Sequence, residues 1–268
     1  MAARNAQDYV AASVQSILGQ TLQDLEIIVV NDASTDGTGD VLRRLEAADP
    51  RVIVFDHDER KGIATTRNEA IAVARAPYLA IQDADDLADP KRLERQAAFL
   101  DAHPATAVVG GAIEVVGPDL RPMGVRRYPT TDASLRSVIY FFSPLAQPAA
   151  MIRKSSLDQV GGYDPRFPPA EDLDLWFRLG RVGELANLPE IVTRYRVWPG
   201  SSVAQQLRRT EKLTLQIRRR HRHNSAFRFT LGARFYQWFH FASLWLVPSR
   251  FKQWLFFRLR DSREGVHG

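Results

Sequence analysis

The chain has 268 residues, no cysteine and a formal net charge of +5. Its length allows one large domain, or one domain plus an appendage, with a sizeable core, and the missing cysteines exclude disulfides, thiolate metal sites and cysteine nucleophiles. The charge is unevenly spread, with 14 Lys/Arg against 3 Asp/Glu in residues 203–268 and 22 against 28 in residues 1–202, so an acidic body precedes a basic tail.

The opening Arg4-Asn5-Ala6-Gln7-Asp8 lacks the apolar run of a secretory signal, and with the absence of cysteine this leads us to expect a reducing, cytoplasmic setting. Val10, Val14, Ile17 and Leu18 recur at helical spacing. Leu25 to Val30 is a buried-strand run ending in Asn31-Asp32-Ala33-Ser34-Thr35-Asp36-Gly37, where Asp36 or Thr38 can start the next helix. Strands are predicted over Val52 to Phe55 and Tyr78 to Ile81, and helices over Gly62 to Arg75 and Pro90 to His103. This alternation predicts right-handed crossovers and a mostly parallel sheet. Further strands are expected over Val108 to Val116, Val125 to Tyr128, Ala149 to Arg153 and Glu190 to Val197, with helices from Lys154 and over 171–181.

The chemistry-bearing residues cluster at the predicted strand ends. Leu79-Ala80-Ile81-Gln82 stops on Asp83, Asp85 and Asp86, at the sheet edge where open α/β folds bind ligands. Clustered carboxylates repel one another unless a cation joins them, and Mg²⁺ typically takes one or two carboxylates plus substrate phosphates. The plainer reading is a solvated acidic turn with Asp86 or Asp89 capping the helix near Pro90. Asp32 is either a turn residue bonding its own backbone or an acceptor for a nucleobase. Lys61 and Arg67, flanking Gly62 at a helix start, suit phosphates or an exposed helix face. Glu171 and Asp172 suit either the helix dipole or general-base work on a hydroxyl, and Asp174 with Arg178 reads as a surface pair.

Five motifs stand in register: Asn31-Asp32 to Thr38, Gly62 to Arg67-Asn68, Asp83-Ala84-Asp85-Asp86, Gly161-Gly162-Tyr163-Asp164 and Glu171-Asp172. Over roughly residues 4 to 200 the chain closely resembles family 2 glycosyltransferases of the nucleotide-diphosphate-sugar (GT-A) fold. The resemblance implies an α/β fold with helices flanking the sheet, donor contacts from Asp32 and Asn31, and a DXD-type pair. In that pair Asp83 and Asp85 hold ribose and a Mg²⁺ or Mn²⁺ ion, with Asp86 in support. It also implies Asp172 as the base, with Glu171 beside it. A nucleoside diphosphate leaving group needs its charge neutralised, and opposite-face attack assisted by one base leads to inversion at the anomeric carbon.

Two features depart from that pattern. Met1 to Asn5 reads as the turn after a missing first strand, which suggests a misassigned start, a truncated chain or a degenerate inactive copy. Trp198 stands where relatives often carry His and cannot ligate a metal, leaving it to stack on a sugar or cap the core. Residues 1–202 are therefore expected to be the catalytic domain and 203–268 a helical extension, rich in Arg and holding 12 aromatics between Phe227 and Phe257. Residues 226–260 suit an anionic membrane surface, packing against the body or a second subunit being the alternative; no nucleic-acid recognition motif accompanies them. The expected enzyme moves a sugar from a nucleotide-diphosphate donor to a glycan or lipid-linked hydroxyl, peripheral to the cytoplasmic face of the membrane. A nucleotide-sugar-binding relic and a sugar nucleotidyltransferase are the other readings, and the segment 117–150 is expected to shape the acceptor side.

Overall fold

The computed structural model describes residues 1–198 and 206–246. The first half runs β1 (Ala2–Ala3), α1 (Val10–Leu18), β2 (Ile27–Asn31), α2 (Thr38–Ala48), β3 (Val52–Asp56), α3 (Ile63–Val73), β4 (Tyr78–Ala80), β5 (Leu87–Ala88) and α4 (Arg92–Ala102). It continues with β6 (Thr106–Val116), β7 (Pro122–Arg126), α5 (Asp132–Val138), β8 (Met151–Arg153), α6 (Lys154–Val160), α7 (Glu171–Leu179), β9 (Glu184–Arg196), α8 (Leu207–Arg220) and α9 (Leu231–Leu246). The fold is α/β with a GT-A-like arrangement of sheets and flanking helices.

Parallel pairing is confined to part of it. One sheet has the order β1-β2-β3, all parallel, while the second runs β4-β8-β6-β9-β5 with β7 added to β6. In the second sheet only β6 and β9 run parallel; the other pairs are antiparallel. Their long shared ladder slips in register between Thr106 and Val108 and again around Gly111 and Ala112, irregularities of the β-bulge kind.

Met1 to Ala3 is not a turn. Ala2 pairs with Val30 and Ala3 with Asn31 in parallel register, and the Met1 amino group donates to Ile28 O at 2.7 Å. Two alanines carry no strand signal of their own; pairing with the buried β2 decides their conformation. Beyond this short strand, a cavity of about 690 Å³ separates β2 from β4, lined by Ile27, Ile28, Leu79 and Ile81 and by Ile17, Ile71 and Leu93 from the helices.

The main core packs α7 against β6 and β8, with Trp176, Phe177, Ile152 and Val108 all fully buried. Asp174 and Arg178 are no surface pair, because Asp174 is fully buried. Its carboxylate accepts from Arg178 Nε at 2.7 Å and meets His221 Nε2 at 2.9 Å, a partner 47 residues away that local spacing cannot reveal.

That contact joins the C-terminal extension to the body. Ile217 and Phe227 sit in the main core, and Arg136 donates to Gly180 O, Gly183 O and Ala226 O while its guanidinium lies 5.0 Å from the Phe227 ring. α9 leaves Leu231, Phe235, Trp238, Phe239 and Phe241 exposed. Among the described residues no helix is long and apolar enough to cross a membrane. Residues 247–260, part of the stretch expected to meet lipid, lie outside the described residues.

Candidate active site

The loops after β1, β2 and β4, the first turn of α7, the end of β9 and one face of α8 enclose a cleft of about 820 Å³, within the usual range for small-molecule sites. Asp32, Arg67, Asp83, Asp85, Glu171, Asp172 and Trp198 all line it. The sequence separates these residues by up to 166 positions, and the strand-end rule for α/β sheets brings them to one edge.

Asp32 leaves β2 and faces the start of α3. Its Oδ1 accepts from Lys61 N at 2.7 Å and its Oδ2 from Gly62 N at 3.0 Å, and Gly62 manages the sharp entry with a φ of 87°. His57 Nδ1 lies 3.0 Å from Oδ1. Burial opposes ionisation, but the bonds from His57, Lys61 N and Gly62 N outweigh it and hold the carboxyl below its ordinary range. A carboxylate has about four lone-pair sites, so capacity for one further donor remains. Nothing in the sequence marks His57 as the group that steadies Asp32.

Two of the expected donor-contact residues are turned elsewhere. Asn31 Nδ2 donates to Asp56 Oδ1 at 2.6 Å and its Oδ1 accepts from the Ser34 amide, so it straps the loop. Lys61 Nζ pairs with Glu69 at 3.0 Å along the exposed face of α3. Neither lines the cleft; that wall carries Arg60 instead.

Arg67 is a strut. Its Nη2 donates to Asp83 Oδ1 at 2.7 Å and its Nη1 to Glu171 Oε1 at 2.6 Å, with the guanidinium 5.6 Å from the Tyr163 ring. Burial works against its charge, but Asp83 and Glu171 raise its proton affinity. These two bonds commit the guanidinium that the sequence offered to phosphates. Tyr163 is held in turn by Asn68, which bonds both its N–H and its C=O at 2.8 Å. Gly162 has a φ of 73°, and a Cβ there would meet Asn68 Oδ1 at 2.6 Å, while at Gly161 before it the φ of 80° alone calls for glycine.

The acidic loop divides into roles. Asp86 is buried to 1% exposure, its Oδ1 accepts from Arg196 N at 2.8 Å, and burial followed by the charges of Asp85 and Asp83 pushes it well above the usual carboxylate range. It ties the loop to β9. Asp89 closes the turn that leads into α4 by accepting from Lys91 N at 3.0 Å. Arg92 pins the loop from below, donating to Gln82 Oε1 and Ile81 O at 2.8 Å. Asp85 is pushed up by burial and then by Asp83, and its Oδ2 accepts from Trp198 Nε1 at 2.9 Å. Trp198 thus orients a carboxylate, with Tyr9 at 5.5 Å beside it.

Among the described residues no group of three or more His, Asp or Glu forms a ready-made metal cage. Asp83 and Asp85 nevertheless suit a hard cation that completes its shell with phosphate oxygens and water. Their mutual repulsion is the charge such an ion would relieve, and Oδ1 of Asp85 is free of the bond that Trp198 makes to Oδ2.

Asp172 opens α7 half-buried in the cleft. Its Oδ1 accepts from Leu173 N at 2.8 Å, and burial, followed by the neighbouring charge of Glu171, pushes it up to about 7. A carboxyl that gains and loses its proton near neutrality can act as a base. Arg126, Tyr128 and Leu145 to Pro148, all from the expected acceptor segment 117–150, also line the cleft.

Residues 1–161 match the profile of the family described as Glycosyl transferase family 2. The chain is 30% identical over 198 residues to the putative teichuronic acid biosynthesis glycosyltransferase TuaG of Bacillus subtilis, covering 72% of this chain and 75% of that protein. It is 28% identical to an uncharacterised glycosyltransferase of Haemophilus influenzae, covering 73% of this chain but only 63% of the relative's length. In fold it is similar to the mannosyltransferase PcManGT of Pyrobaculum calidifontis, solved with GDP-Man and Mn²⁺, at a TM-score of 0.67 and 21% identity over 92% of this chain and 68% of that one. The profile spans more than half of the sequence and covers the loops that carry Asp32, Asp83 and Asp85, and the chain belongs to glycosyltransferase family 2.

Proposed function

We propose that the chain transfers a sugar, with inversion at the anomeric carbon, from a nucleotide-diphosphate donor to a hydroxyl of a glycan or lipid-linked acceptor in surface polysaccharide synthesis. The observation that carries this reading is Asp172: one carboxyl, close to neutrality in its proton affinity, in the same cleft as Asp83 and Asp85. Single-base assistance from one side, with the diphosphate leaving on the other, is displacement with inversion. Asp32 takes a base N–H with its remaining acceptor capacity. Asp85 and Asp83 hold Mg²⁺ or Mn²⁺, which when bound neutralises charge on the departing diphosphate. Trp198 and Tyr9 keep Asp85 aimed and dry, and Asp172 accepts the acceptor hydroxyl proton at Oδ2.

The GDP-Man and Mn²⁺ of PcManGT support the donor class and the ion, and the role named for TuaG supports polymer synthesis. The exposed aromatics of α9 support a peripheral seat on the cytoplasmic face of a membrane. The test is an assay of UDP-, GDP- and dTDP-sugars with product analysis by NMR. Metal-dependent release of nucleoside diphosphate with an inverted anomeric signal is expected. Retained configuration would remove the single-base mechanism, and release of pyrophosphate would point to a nucleotidyltransferase.

A further inference from the structure

Arg218 lines the cleft and makes no ion pair among the described residues. Arg218, near the end of α8, is 3% exposed, and its Nε and Nη1 find no hydrogen-bond partner among the described residues. Its guanidinium lies 5.8 Å from the Tyr236 ring of α9 and hydrogen-bonds the Tyr236 side chain, a contact that still leaves Nε and Nη1 without a partner among the described residues. Gln206, Thr210 and Thr214 precede it at four-residue steps, and all four line the cleft with Asp172. The other buried cations facing this region are committed: Arg67 to Asp83 and Glu171, and Arg196 to Asp85 O and Pro118 O.

Buried charges in folded proteins are normally paired, because taking a lone ion out of water is costly. Arg218 bears that cost with no carboxylate paired to it among the described residues; burial pulls it down to about 10, against its bond to Tyr236. Its planar fork matches the oxygens of a phosphoryl group. We propose that Arg218 is an anion-binding residue of the cleft that takes phosphoryl oxygens of a bound substrate through Nε and Nη1. The C-terminal helix pair thereby supplies part of the substrate site. The phosphoryl group belongs either to the diphosphate of the donor or to that of a lipid-linked acceptor. That choice rests on the transferase reading above, whereas the anion site does not.

The experiment is calorimetric titration of inorganic pyrophosphate into the full chain, in EDTA so that no ion bridges to Asp83 or Asp85. Wild type, Arg218→Met and Arg218→Lys are compared, each with a thermal melt. Wild type is expected to bind at one site, Arg218→Met to lose on the order of 10-fold or more in affinity, and Arg218→Lys to recover part of it. The methionine variant is expected to melt no lower than wild type, since exchanging an unpaired buried charge for an apolar side chain of similar length is neutral or stabilising. Equal pyrophosphate affinity in the methionine variant overturns the proposal, as does a lower melting temperature, which would make Arg218 a packing residue on Tyr236. In turnover assays of Arg218→Lys, a raised KM for the nucleotide sugar assigns the donor diphosphate and a raised KM for a lipid-diphosphate acceptor assigns the acceptor. Weaker pyrophosphate binding with both constants unchanged overturns the substrate role. Pyrophosphate binding through Arg218 without sugar turnover would refute the transferase reading and leave the anion site standing.

Discussion

Asp172 and Glu171 are adjacent in sequence and opposite in environment. Glu171 accepts from Arg67 at 2.6 Å, while Asp172 has no cation bonded to it among the described residues and is pushed up to about 7 by burial and Glu171. As a base, Asp172 works only when ionised, so kcat/KM should fall with decreasing pH below about 7 and level off above it. Asp172→Asn should lose roughly 10²–10⁴-fold in turnover while donor affinity stays constant; a flat pH profile or unchanged turnover would remove Asp172 from the chemistry. Arg67 makes a different prediction. Arg67→Met leaves Glu171 buried with both oxygens unpaired, since Oε2 already lacks a partner. Breaking a buried pair from one side costs about 3–5 kcal/mol, so denaturant unfolding should show a loss of that size, and a change under 1 kcal/mol would mean that the strut is solvated. Asp32, Asp83, Asp85 and Asp172 were legible because each stands in a local motif at a strand or helix end. The geometry around them was not. His57 and Trp198 act on Asp32 and Asp85 across 25 and 113 positions, Tyr163 acts on Arg67 across 96, and no local pattern encodes such contacts.

Elements with a strong period were read correctly in kind, as with α2 and α7. Those missed are short or held from outside. β5 is two residues pinned by β9, and α5 buries only Leu135 of its seven residues, so neither shows a period to detect. β9 was expected to start at Glu190 but starts at Glu184, because Pro189 interrupts the pattern. The structure absorbs Pro189 in the register break between Gly111 and Ala112 on β6. At the other side of the molecule, β1 leaves the facing edges of β2 and β4 apart. The antiparallel register with β8, fixed by Ile81 N to Ala150 O at 2.9 Å, turns the N–H groups of Leu79 and Ile81 towards β8 and that of Ala80 towards the cavity. Hydrogen exchange should therefore be faster at Ala80 than at Leu79 and Ile81, the difference reflecting local opening rather than global unfolding. Equal protection at the three amides would mean that the gap is closed in solution.

At the scale of the whole molecule, the basic extension both packs on the body and faces outward. Phe227 and Ala233 are buried in the main core, so deleting everything after residue 225 would damage the fold and say little about lipid. The exposed set Leu231, Phe235, Trp238 and Phe239 falls at positions i, i+4, i+7 and i+8 of α9, which places it on one helix face. Those side chains can be changed without touching the core. Arg228 and Arg234 flank them, and cations beside an aromatic face suit anionic headgroups. Full burial of a large apolar side chain gains about 1.5–3 kcal/mol. The triple change Phe235→Ser, Trp238→Ser and Phe239→Ser should therefore weaken binding to vesicles containing phosphatidylserine by on the order of 10²-fold or more, with the melting temperature and donor binding unchanged. Raising the salt concentration should weaken binding of the wild type further, because the arginine contribution is screened. If the triple variant sediments with vesicles as wild type does, the aromatic face meets protein instead, and a matching fall in oligomer mass on the same substitutions would identify that protein as a second copy of the chain.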